Sequence, residues 1–191
     1  HERSHVFNGD PNKKLPYWAK ILIQMKEEGI EAPTISILDD NGELIPAVND
    51  VLDIIKKNNM VLATSHISHE ECFALVKRAQ ERGVERVIIT HADFPTTYYT
   101  IEEQQKLVSM GAYIEHCYTT WATKKVDLED SIAQIKAIGA DHVIIATDLG
   151  QTTSIYPDQG MLAYAEQLVA HGFSEGDVRK MVRDNPAGLI S

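Results

Sequence analysis

Three residues carry the groups that hold divalent transition metals, and they recur at matching places along the chain: His66, His91 and Asp148. Each stands at, or one residue past, the end of a short apolar run. His66 follows Val61-Leu62-Ala63-Thr64, His91 follows Val87-Ile88-Ile89-Thr90, and Asp148 follows Val143-Ile144-Ile145-Ala146-Thr147. Two neutral imidazoles and a carboxylate form a ligand set suited to zinc, with manganese or iron as other occupants. A fourth run, Ala112-Tyr113-Ile114, leads into Glu115-His116-Cys117-Tyr118, and Asp148 is followed by Leu149-Gly150-Gln151. Each residue alone has a plainer reading. A strand-end histidine can be a satisfied structural group, and a strand-end aspartate can cap the next helix. Glu115 could bind a neighbouring lysine, His69 and His116 fit second-sphere or surface positions better than ligand positions, and nothing marks Cys117 as an activated thiol. The joint pattern, polar at one position on successive apolar runs, favours a site at this edge.

The elements that position these residues follow from periodicity. The apolar runs are short and rich in Val and Ile, as strands buried on both faces are. A first run, Ile35-Ser36-Ile37-Leu38, precedes the turn Asp39-Asp40-Asn41-Gly42 and a helix carrying Val48, Val51, Leu52 and Ile55. Further helices carry Phe73, Val76 and Ala79, then Ile101 to Val108, then Ile132, Ile135 and Ile138, with two more near residues 160–171 and 175–184. Ser68-x-x-Glu71 and Thr100-x-x-Glu103 fit the capping box, and Ser174 with Asp177 is a weaker version. Gly83, Gly111, Gly139 and Gly172 stand where helices should stop. Strand starts recur about every 25–30 residues, the length of a βα unit. Five such units demand a parallel sheet, either open and doubly wound or part of a barrel. In both, the strand C-termini share one edge, where active sites form. Residues 1–32 read as a loop, with a turn at Asn8-Gly9-Asp10-Pro11, and then a helix bearing Trp18, Ile21, Leu22 and Met25. The whole of 1–191 reads as a single α/β domain.

The bulk composition of the 191 residues, 43% hydrophobic and 24% charged, is that of an ordinary globular domain. A formal net charge of -10 argues against nucleic acid or an anionic membrane as the main partner. No apolar run is long enough to span a bilayer, and two distant cysteines make no disulfide framework. A cytoplasmic setting is the default expectation. The chain opens on His1-Glu2-Arg3-Ser4-His5 and reads like the inside of a longer protein. No glycine-rich phosphate loop follows any strand, which argues against an open-sheet nucleotide binder.

The order of these residues, His66 after one strand, His91 after the next, a strand between, then Asp148, resembles the amidohydrolase superfamily of metal-dependent (β/α)8 barrels. Leu62-Ala63-Thr64-Ser65-His66-Ile67-Ser68 is similar to the strand-five region of its phosphotriesterase-like branch. Asn185-Pro186-Ala187 is similar to a segment that follows the eighth strand in such barrels. Tyr113-Ile114-Glu115-His116-Cys117 resembles strand seven of an uncharacterised amidohydrolase-related group. The resemblance covers roughly residues 33–191 and implies a partial (β/α)8 TIM barrel, about strands 4 to 8 with their helices. It implies a divalent metal held by His66, His91 and Asp148, with Asp148 also moving the proton of a metal-activated water. Glu115, His116, Tyr118, Gln151 and Trp121 would be substrate or second-sphere contacts. The bond cleaved would be an ester, lactone, amide or phosphoester in a small-molecule substrate. The family's His-x-His after strand one has no counterpart here, and Asp39-Asp40 stands where a carboxylated Lys or a Glu often follows strand four. Five strands would leave two open sheet edges, which a homo-oligomer would be one way of covering. The alternative function is a non-catalytic barrel remnant that serves as a binding or assembly module.

Overall fold

The computed structural model describes residues 17–31 and 35–191. The turn expected at residues 8–11, and His1 and His5, lie outside them. Four strands, β1 (Leu62–Ala63), β2 (Val87–Ile89), β3 (Ala112–Cys117) and β4 (Val143–Ala146), form one sheet in the order β1-β2-β3-β4, with every pair parallel. Around it stand α1 (Tyr17–Glu27), α2 (Pro46–Lys57), α3 (His69–Glu81), α4 (Ile101–Ser109), α5 (Tyr118–Ala122), α6 (Leu128–Ile138), α7 (Pro157–Ala170), α8 (Glu175–Arg179) and α9 (Asn185–Ile190). A π-helical turn, Lys180–Asp184, joins α8 to α9. Among the described residues no helix is long and apolar enough to cross a membrane.

The strand expected at residues 35–38 is not part of this sheet. Leu38 instead bridges antiparallel to Leu44, and the intervening turn explains why. The Asp39 carboxylate accepts the N–H groups of Asn41 (2.9 Å) and Glu43 (3.0 Å), while Ile45 N–H returns to the Ile37 carbonyl at 3.0 Å. The chain thus doubles back on itself before it can extend along β1. The parallel sheet has four strands, not five.

The helix starts are built as their sequences predict. The Ser68, Thr100 and Ser174 hydroxyls accept the N–H groups of Glu71, Glu103 and Asp177, and all three capping boxes are closed. Glu71 does more than cap α3. One carboxylate oxygen takes Ser68 N–H at 2.7 Å, while the other takes the Ser36 hydroxyl at 2.7 Å and Ile37 N–H at 2.8 Å. It therefore clamps the doubled-back segment onto α3. The last helix is fastened in a similar way. Asn185 Nδ2 donates to the carbonyls of Ala140 (2.8 Å) and Val143 (2.7 Å), tying α9 to the start of β4.

Parallel strands joined in simple sequence order, each crossover advancing the same way, place their connecting helices on one face. Side chains alternate accordingly. Leu62, Val87, Ile89, Ala112, Ile114, Val143 and Ile145 are buried, whereas Ala63, Ile88, Tyr113 and Glu115 on the alternate positions retain solvent exposure. The buried face meets two apolar clusters. One joins α2, α3 and α4 to β1–β3 through Leu52, Cys72, Val76 and Leu107. The other joins α6, α7 and α8 to β4 through Ile135, Tyr164, Leu168 and Val178. Ile138 packs against both.

Candidate functional site

The C-terminal ends of β1, β2 and β4 share a backbone peculiarity. Among the described residues five non-glycine residues have positive φ, and Asn59 and Lys124 follow the ends of α2 and α5, where a left-handed residue is an ordinary helix stop. The other three are Ser65 (φ +57°), His91 (+31°) and Asp148 (+50°), all at strand C-termini on one edge. A left-handed backbone is unfavourable for residues with a side chain and persists where the surroundings enforce it. Here it marks the turn the chain makes at each of these three strand ends.

His66 and His91 are brought together. Their Nε2 atoms lie 3.2 Å apart, and their rings meet edge-on with centroids 4.5 Å apart. His66 is exposed at the rim, and His91 is buried beneath it. The Thr97 hydroxyl lies within hydrogen-bond reach of the His91 carbonyl (3.0 Å), the Phe94 carbonyl (3.4 Å) and His91 Nδ1 (3.1 Å). If its one proton goes to a carbonyl, it accepts Nδ1–H and leaves the Nε2 lone pair open on the side of His66. Zinc–imidazole bonds of about 2.0–2.1 Å meeting at a roughly tetrahedral angle put the two nitrogens about 3.3 Å apart. The observed pair fits a shared cation. Burial, and then the neighbouring His66, hold the His91 imidazole below its usual protonation range, which keeps it neutral and able to ligate.

Glu115 on β3 stands next to this pair and accepts His91 N–H at 2.9 Å. Burial raises its carboxyl above the usual range, and the nearby Asp148 carboxylate adds to the rise, against the hydrogen bond from His91. Asp148 is exposed at the rim, and its charge is felt by His91, Glu115 and Lys125 alike. Its backbone is held by the Thr119 hydroxyl, which donates to the Asp148 carbonyl at 3.0 Å. Among the described residues no three histidine, cysteine or carboxylate side chains converge closely enough to enclose a metal ion. The two imidazoles are in place, and the carboxylate stands off.

The remaining expected contacts divide by strand alternation. His116 points to the opposite face from Glu115 and is fully buried, with Nδ1 3.1 Å from the Asp93 carboxylate. Burial pushes the Asp93 carboxyl up, but His116, Ser131 and Thr120 outweigh it and hold it low. Tyr118 stacks edge-on against Trp121 at 5.0 Å, and Trp121 leans on Tyr164 at 5.7 Å, so both aromatics belong to the packing of the second cluster. Gln151 is exposed beyond Asp148 and accepts from Ser154 at 3.1 Å. His69 stacks on Tyr99 and pairs with Glu103 at 3.0 Å. Cys117 is buried, and that burial raises its thiol far above its ordinary value.

Two residues at this edge escape a reading of the sequence. One is Thr97, six residues past His91, whose hydroxyl lies 3.1 Å from His91 Nδ1. The other is Lys125, in the turn after α5, whose ammonium lies 4.3 Å over the Phe94 ring, while that ring lies 5.1 Å from the His91 ring. Burial lowers the Lys125 amine below its usual range, and Asp148 partly offsets this.

Residues 4–115, more than half of the chain, match a family of unknown function, DUF6282. A search of curated proteins finds no match.

Proposed function

We propose that this chain, which belongs to the DUF6282 family, is a metal-dependent hydrolase built on part of a (β/α)8 barrel, acting on a small molecule. The observation that carries the reading is the 3.2 Å approach of His66 Nε2 to His91 Nε2, with the Thr97 hydroxyl 3.1 Å from the other ring nitrogen of His91. The parallel order of the four strands and the helices on one face support the barrel. The strand-end residues support a site at its C-terminal mouth.

His66 and His91 would hold the cation through neutral nitrogens, with zinc, manganese or iron as occupants. When bound, such a cation supplies Lewis acidity that makes water a nucleophile near neutral pH. Glu115 fixes the backbone of His91, and Thr97 fixes its ring, an arrangement that strengthens a ligand. Asp148, exposed at the rim of the same edge, would complete the ligand set and accept the proton of the attacking water, then return it to the leaving group. The bond cleaved is an ester, lactone, amide or phosphoester.

A second reading is a non-catalytic binding or assembly module. It draws on the observation that only two candidate ligand side chains meet among the described residues. Hydrolysis assays on the metal-replete chain with panels of these four bond types decide between the two. The hydrolase reading expects turnover that a chelator abolishes and that Asp148→Asn lowers by about 10²–10⁴-fold. Turnover indifferent to both would sink the metal mechanism, and none with any panel would favour the binding module, in which alanine at His66, His91 and Asp148 leaves melting and ligand binding unchanged.

A further inference from the structure

Lys125 is the charged side chain at this edge that the hydrolytic reading leaves unused. It sits half-buried in the turn after α5, with Nζ 4.3 Å over the face of Phe94. Phe94 in turn leans on His91, with ring centroids 5.1 Å apart. The ammonium is thereby coupled to the paired imidazoles through a single phenyl ring. Among the described residues no carboxylate lies within 4 Å of it, and the acid whose charge reaches it is Asp148. An ammonium partly withdrawn from water is costly unless an anion compensates it, and a ring face compensates only in part.

The charge balance decides what that anion is. In the proposed site the Asp148 charge would be shared with the cation and its proton chemistry, so it would compensate Lys125 less. An anion from outside would then complete what the Phe94 face supplies only in part. A simple structural role would place the amine in solvent with its stem packed on the apolar surface. Here the charged end lies over an aromatic face next to the reactive edge.

We infer that Lys125 binds an anionic oxygen group of the substrate, so that the hydrolysed molecule carries a carboxylate or a phosphate beside the bond that is cut. The inference rests on the hydrolytic reading of the same site, but the amine's anion affinity can be measured without turnover.

The test is calorimetric titration of the chain as purified with acetate, with inorganic phosphate and with neutral acetamide, repeated on Lys125→Met, Lys125→Gln and Lys125→Arg. Thermal melts of each variant establish folding, and Lys125→Gln serves if Lys125→Met does not fold. The expected result is that acetate or phosphate binds and acetamide does not. Met or Gln should lower anion affinity about tenfold or more, and Arg should keep most of it. The anion that binds more tightly identifies the class, carboxylate or phosphate. A His66→Ala/His91→Ala variant separates this inference from the metal reading. Anion binding that survives in it assigns the affinity to Lys125 whether or not a metal is held. The inference is overturned if folded Lys125→Met and Lys125→Gln bind the anions as the wild type does. It is equally overturned if the wild type prefers neither anion to acetamide.

Discussion

The chemistry of the site turns on where single protons sit. If Thr97 donates its hydroxyl proton to the His91 carbonyl, its lone pair receives His91 Nδ1–H and leaves Nε2 bare. Thr97→Val keeps the shape and removes the acceptor. The expected outcome is a metal affinity about 10–100-fold weaker, read by competition with a chromogenic chelator. Stability should fall by only about 1–2 kcal/mol, read by urea denaturation. Unchanged affinity would mean that Thr97 does not set the tautomer. At this scale the sequence was legible where chemistry coincides with strand ends. His66, His91 and Asp148 announce themselves by standing after apolar runs. Thr97 and Lys125 do not, because they reach the site through loop closure, and no periodicity encodes which loop residue folds back. Glu115 and His116 are neighbours in sequence, but strand alternation sends one toward His91 and the other into the buried pair with Asp93.

At the scale of elements, Glu71 joins three pieces: the first turn of α3, the Ser68 cap and the doubled-back segment at Ser36 and Ile37. Burial raises its carboxyl, but the hydrogen bonds from Ser68, Ser36 and Ile37 outweigh this and hold it below its ordinary value of 4.5. The sign is that of a depressed acid. The stabilisation is fully present above about pH 4.5 and is lost as pH falls through the lower folded value. Glu71→Gln should flatten that acid limb of the stability curve and cost about 1–3 kcal/mol near neutral pH, both read by denaturant titration across pH. An acid limb as steep as in the wild type would show that the carboxylate is not the group responsible. The same segment shows why part of the fold was not legible. Residues 35–38 are as β-branched as the true strands, and composition alone cannot separate a sheet strand from one arm of a tight hairpin. The Asp39 carboxylate, collecting two backbone N–H groups, makes that decision locally. The helices were legible because their stop and start signals are local. The capping boxes closed as written, and the chain turns at Gly83 and Gly139 with φ of +71° and +85°.

At the scale of the whole molecule, one sheet carries two apolar clusters on its helical face and a strand-end edge with the site. Two buried thiols report on its integrity, Cys72 in the first cluster and Cys117 at the end of β3. Burial raises the Cys72 thiol to about 11 and pushes Cys117 up as well, so neither offers thiolate at neutral pH. Both should react with a disulfide reagent at one slow rate, about 10²-fold or more below that of the unfolded chain, because each waits for the fold to open. A fast phase worth one thiol would show that the first cluster and the end of β3 open independently. On the proposed reading this sheet edge holds a divalent cation through His66 and His91. The measurement is elemental metal analysis of the chain purified in metal-replete medium, beside a His66→Ala/His91→Ala/Asp148→Ala variant. About one equivalent of zinc, manganese or iron in the wild type, absent from the variant, is the expected result. No metal in either protein, or the same metal in both, would contradict it.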